Sequence, residues 1–158
     1  FTVKTSPYQL EHRWIKKGES YKELIEYYKY AFIHLANKTQ LSPSQVATIF
    51  IYETGGYSTL WRKYLNGGGI KLSLGSNGIA YLKDDCGDNF CKFSSYNSVE
   101  LFFKDWERIL NLPRYNIARN KSNKEAFASL KLAGYHTDNS HWNRAYVANK
   151  LNKLFFNV

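Results

Sequence analysis

The stretch from Leu41 to Lys71, "LSPSQVATIFIYETGGYSTLWRKYLNGGGIK", decides how this chain is read. It opens on a helix start. Ser42 is a good N-cap, Pro43 fits the first helical position, and Gln45 completes a capping box. It stops at Gly55, because glycine takes the left-handed conformation after a helix at little cost. Between these signals Val46, Ile49, Phe50 and Glu53 fall at i, i+3, i+4 and i+7, which is one helix face. The spacing therefore puts a carboxylate on the core-facing stripe, near the helix C-terminus. A charge there is costly unless it is paired or protonated. Desolvation and the negative end of the helix dipole both favour the neutral acid, which suits a proton donor. Pairing with Arg62 or Lys63, or a turn to solvent, is the plainer alternative.

Two glycine groups surround this glutamate. Gly55 and Gly56 let the chain leave the helix sharply, so Glu53 can stand at the floor of a cleft. Gly67, Gly68 and Gly69 let backbone amides approach a ligand without Cβ interference, unless they form only a flexible loop. Upstream, "SYKE" is another capping box, and a helix is expected from Tyr21 to about Asn37, with Leu24, Tyr27, Tyr28, Ala31 and Leu35 as its apolar stripe. Residues 1–19 read as a polar arm laid on the surface.

Downstream, "GIAYL" and "NFCKF" alternate and are joined by "KDDCGD", the pattern of a β-hairpin. Helical period returns after Ser98 and ends at Leu112-Pro113. A short helix follows the Ser122/Glu125 box, and a last one runs from about Ser140 to Phe155. No repeat or linker is visible. The expectation is an α+β fold, mostly α: an arm over 1–19, then one domain over 20–158 with a β lobe at about 69–96.

The totals bound the function. A chain of 158 residues, 44% hydrophobic and 22% charged, suits one folded domain. Its 17% aromatic content serves a core, and also suits flat faces such as sugar rings. A net charge of +9 draws it to polyanions: nucleic acid, anionic lipid or acidic cell-wall polymer. There is no dense Lys/Arg block, no zinc-ligand pattern and no nucleic-acid motif, and no apolar run long enough to span a membrane. Cys86 and Cys91, in "CGDNFC", close a hairpin disulfide in an oxidising compartment or stand as free thiols in a reducing one. The chain begins at Phe1 without a Met, which fits a mature fragment of a longer precursor.

Four segments taken in order, "YETGGYSTL", "NGGGIK", "KFSSYNSVELFFKDWERIL" and "LKLAGYHTD", resemble the glucosaminidase domains of glycoside hydrolase family 73. The resemblance covers roughly residues 42–155. It implies a lysozyme-like fold with a helical lobe and a β lobe flanking a cleft. It also implies hydrolysis of the β-1,4 bond after N-acetylglucosamine in peptidoglycan, outside the cytoplasm, whether periplasmic or secreted. Glu53 matches the family's general acid, in Glu53-Thr54-Gly55. Tyr135 matches the tyrosine of the Ala133–Asp138 turn, where a phenol can hydrogen-bond the reacting sugar or its acetamido group. Asn66, Gly69 and Lys71 fall in the middle motif as substrate-binding candidates, and Tyr57, Trp61 and Tyr81 are candidates for stacking on sugar faces. The resemblance implies no cofactor or metal, peptidoglycan strands as partner rather than nucleic acid, and a monomer.

Two departures carry consequences. The family's Leu-Phe pair in the middle motif is replaced by Gly67-Gly68, which removes an apolar support. Many members carry a second glutamate in the β lobe, yet between Ile70 and Cys91 this chain has only Asp84, Asp85 and Asp88. Asp84 or Asp85 is the candidate second carboxylate; all three also suit a turn, and the substrate's own acetamido group offers a third route. A lytic transglycosylase or muramidase on the same fold, and a wall-binding module without catalysis, are the rival readings. The "GGGIK" segment and the absence of Met argue against the transglycosylase.

Overall fold

In a computed structural model, residues 6–16, 18–83 and 90–156 are described. Helix α1 (Tyr21–Thr39) starts on the Ser20/Glu23 capping box and runs two residues beyond the expected end. Helix α2 (Pro43–Thr54) starts on the Ser42/Gln45 box and ends where Gly55 takes φ 59°. A four-residue helix, α3 (Thr59–Arg62), follows; its brevity hides it from periodicity. Strands β1 (Gly78–Leu82) and β2 (Cys91–Ser95) pair antiparallel, Gly78 opposite Ser95 and Leu82 opposite Cys91. Then come α4 (Val99–Leu110), a 3₁₀ segment (Pro113–Ala118), α5 (Asn123–Leu132), and α6 (His141–Leu151), which widens into a π turn over Asn152–Phe156. The expected last helix thus divides in two.

The architecture is the expected α+β fold, mostly helical, with a two-stranded β lobe. Helix α2 packs against both α1 and α6, and α5 packs against α6. Its core is aromatic: Tyr28, Phe32, Phe50, Trp61, Phe102, Phe103 and Trp106 are all fully buried. Phe50 meets Trp61 edge-on at 4.9 Å, and Phe102 stacks on Trp106 at 5.3 Å. A smaller cluster of Leu60, Ala80, Cys91 and Phe93 supports the β lobe.

The N-terminal arm is more than a surface strap. Tyr8 is 2% exposed, stacks on Phe103 at 5.0 Å and donates to Glu107. Trp61 donates its indole N–H to the Arg13 carbonyl, and the Tyr28 hydroxyl accepts from the Arg13 amide. So the arm completes the helical core.

The β lobe is fastened from two directions. Asn66 is fully buried; its amide donates to the carbonyls of Ile70 and Ser94 and accepts from the Ile70 amide. From α4, the buried Asp105 carboxylate accepts from the Tyr96 hydroxyl at 2.5 Å and the Ser73 hydroxyl at 2.6 Å, and pairs with Arg108 at 2.8 Å.

Candidate active site

Between the lobes runs an open cleft of about 970 Å³. One wall is the loop from Gly69 to Ile79; the other comes from the end of α4, the 3₁₀ segment and the Gly134-Tyr135 turn. Glu53 is not part of these walls. It lies against Gly69, which does line the cleft, with its side chain 23% exposed. Gly69 has φ +64°, and a Cβ there would run into the Glu53 carboxylate, its Cδ only 2.8 Å away. Both the backbone conformation and the space demand glycine.

The other two glycines of the triplet also yield to neighbours. A Cβ on Gly67 would meet the Phe50 ring at 2.5 Å, and one on Gly68 the Trp106 indole nitrogen at 2.9 Å. The apolar support expected to be missing at these positions is therefore supplied by Phe50, Phe102 and Trp106. Close packing, rather than looseness, explains the run.

Tyr135 fixes this loop. Its hydroxyl donates to the Gly68 carbonyl at 2.7 Å and accepts from the Trp106 indole N–H at 2.8 Å. Burial pushes its phenol well above the ordinary range, and the nearby negative charge of Glu53 adds to this. The phenol proton is thus already committed within the protein. Tyr135 edges the cleft with its ring, packed edge-on to Tyr115 at 5.6 Å, and its hydroxyl holds the Gly68 carbonyl.

The cation that faces Glu53 comes from α6. Arg144 is 2% exposed, and its guanidinium lies 3.5 Å from the Glu53 carboxylate and 3.8 Å from Asp138. It donates to the Ser140 hydroxyl at 2.6 Å and lies over the Tyr52 ring at 4.6 Å. Burial works against ionisation of Asp138, but hydrogen bonds from Ser140 and the charge of Arg144 outweigh it and hold this carboxyl below the usual range. His136 is buried beside the same guanidinium; burial first, then the Arg144 charge, push its imidazole down to about 4. The sequence offered Arg62 and Lys63 as partners for Glu53. The Arg62 Nε–H instead donates to the Tyr57 carbonyl, and Arg144, ninety-one positions along the chain, pairs with Glu53. Only its place in a helix following the Tyr135 turn could have suggested it.

The remaining candidates separate. Gly69 and Lys71 line the cleft, and the Lys71 ammonium lies 4.0 Å over the Phe93 ring. Trp61 is a correction: it is fully buried, with Phe50, Tyr28, Phe102 and His12 around its ring, so no face is open to a sugar. Asn66 is another, since its amide is held by the backbone of the β lobe rather than turned to a ligand. Tyr57 and Tyr81 are exposed but stand outside the cleft walls. Asp84, Asp85, Cys86 and Asp88 lie outside the described residues. Cys91 is buried at the start of β2, and no described cysteine is a free thiol. Among the described residues no three His, Cys, Asp or Glu side chains gather into a metal-binding group, and no helix is long and apolar enough to cross a membrane.

Comparison with known proteins fits this geometry. The glucosaminidase family model, described as mannosyl-glycoprotein endo-beta-N-acetylglucosaminidase, matches residues 29–155. Three solved structures share the fold. A peptidoglycan hydrolase from Sphingomonas sp. A1 superposes with TM-score 0.71 at 23% identity, covering 81% of this chain and 87% of that one. The catalytic domain of the autolysin Auto from Listeria monocytogenes gives 0.64 at 22%, covering 90% and 88%. The glycoside hydrolase domain of FlgJ from Salmonella typhimurium gives 0.61 at 16%, covering 86% and 91%. No curated protein sequence matches significantly. At these identities the structures speak for the fold, and the family match over most of the sequence carries the assignment: the chain belongs to the glucosaminidase family and is a glycoside hydrolase domain.

Proposed function

We propose that this domain hydrolyses peptidoglycan at the β-1,4 bond after N-acetylglucosamine, with Glu53 as the proton donor. The observation that carries the reading is the placement of Glu53 against the backbone of Gly69, a residue of the cleft wall. Family membership and the wall-degrading proteins that share the fold support the substrate.

The chemistry follows from those positions. Glu53 gives its proton to the glycosidic oxygen as the C1–O bond breaks. The carboxylate so formed faces Arg144, which stabilises the charge that develops there. Water then bonds to C1 and its proton passes to a base. Asp84 or Asp85 is the candidate for that step, and the substrate's acetamido group is the alternative that needs no second carboxylate. Gly69 and Lys71 contact the strand in the cleft. The enzyme acts in the cell envelope, in the periplasm or after secretion, where a Cys86–Cys91 bridge would form across the hairpin turn. The sites use no metal or cofactor, and the domain works as a monomer.

Mass spectrometry of digested peptidoglycan tests the reading. New reducing N-acetylglucosamine ends are expected. Anhydro-muramic ends would make the enzyme a transglycosylase, reducing muramic ends a muramidase, and no new ends a binding module; each result overturns the assignment.

A further inference from the structure

The cleft has a charge pattern that cleaving a neutral sugar bond does not require. Among the described residues that line it three are cations, Lys71, Arg108 and Arg114. Arg108 is held in place: its Nε donates to Asp105 at 2.9 Å, while its side chain keeps 43% exposure on the cleft side of that buried carboxylate. Arg114 is exposed on the 3₁₀ segment, its guanidinium 5.2 Å from the Tyr115 ring. Across from them Leu74 and Ile79 present apolar surface on the loop, 98% and 41% exposed. Exposed leucine and isoleucine on one wall and guanidinium groups on the other suit a ligand that is partly apolar and carries carboxylates.

We infer that this arm of the cleft binds a carboxylate-bearing branch of the glycan strand, with Arg108 and Arg114 as the specificity-determining residues. This rests on the peptidoglycan reading, since such strands carry carboxylates on their peptides or, where no peptide is attached, on the lactyl ether. A bare N-acetylglucosamine polymer has neither. Guanidinium groups along the cleft orient the strand and discriminate by charge, while Glu53 performs the proton transfer on whatever is bound.

The test is binding, not turnover, so that it stands apart from the bond cleaved. Glu53→Gln protein is titrated with three soluble ligands of equal length: neutral β-1,4 N-acetylglucosamine oligomers, strands stripped to the lactyl carboxylate, and strands with peptides intact. Carboxylate-bearing strands are expected to bind at least about tenfold more tightly than neutral ones. Added salt narrows that gap, and so does Arg114→Gln. Tighter binding of intact than of stripped strands assigns the contact to the peptide; tighter binding of stripped strands assigns it to the lactyl carboxylate, and equal binding shows that the site takes either carboxylate. Arg108→Gln is the second variant, checked by thermal unfolding because it also strips Asp105 of its partner. Equal affinity for neutral and anionic strands, or a gap that survives both substitutions in folded protein, overturns the inference.

Discussion

One hydroxyl, that of Tyr135, ties the glycine loop to α4 at the point where the loop touches Glu53. Tyr135→Phe removes a donor from Gly68 and an acceptor from Trp106. Losing these bonds and leaving a buried N–H unpaired should cost about 1–3 kcal/mol, read by denaturant unfolding. Wall-lytic turnover should fall with it, because Gly69 is no longer fixed against Glu53. Unchanged stability with lost turnover would instead put the hydroxyl on the substrate.

His136 makes a second prediction at this scale. Its folded pKa of about 4 lies below the free value of 6.5. As pH falls from about 6.5 to about 4 the unfolded chain takes a proton that the folded one refuses, so stability is lost across that window. His136→Gln should flatten the fall in melting temperature between those two pH values relative to wild type. Equal slopes would show that His136 titrates alike in both states.

Residue type was a mixed guide to these positions. Glu53 was legible because caps on both sides fixed its helix and therefore its face. Trp61 was misread because a tryptophan beside charged residues in a four-residue helix gives no period to betray burial. Asn66 was misread because a polar side chain that satisfies distant backbone looks, in sequence, like one that awaits a ligand. Arg144 went unnoticed because its pairing with Glu53 depends on how α6 packs on α2, which no local pattern encodes.

At the level of elements, α1, α2, β1, β2 and α4 came through clearly, since each carries its own start or stop signal or an unbroken period. What fastens them together did not. Asp105 sits in α4 with Arg108 at i+3; it is 5% exposed and joins the helix to the β lobe through Ser73 and Tyr96. The same bond to Asp105 holds Tyr96, whose phenol burial pushes above its ordinary range. Asp105→Ala removes a charged acceptor from two hydroxyls and a guanidinium, and should cost about 2–4 kcal/mol. Hydrogen exchange should then quicken in residues 71–77 and 91–96, while α1 keeps its protection. A loss below about 0.5 kcal/mol would mean the lobe is held mainly by Asn66 and the Phe93 cluster.

Across the whole molecule, the helical lobe carries Glu53 and Arg144, Gly69 lies against Glu53 at the entry to the β lobe, and the arm completes the helical core. The net charge of +9 surrounds this arrangement and suits an anionic polymer. The proposed proton donation passes through one carboxylate. Glu53→Gln keeps the volume and the hydrogen-bonding shape but has no proton to donate. General acid catalysis is worth about 10²–10⁴-fold. The direct test follows the release of reducing N-acetylglucosamine ends from peptidoglycan by mass spectrometry, with thermal unfolding as the check on folding. The account predicts that folded Glu53→Gln releases them at least about a hundredfold more slowly than wild type. A folded variant that keeps more than about a tenth of the rate would contradict it.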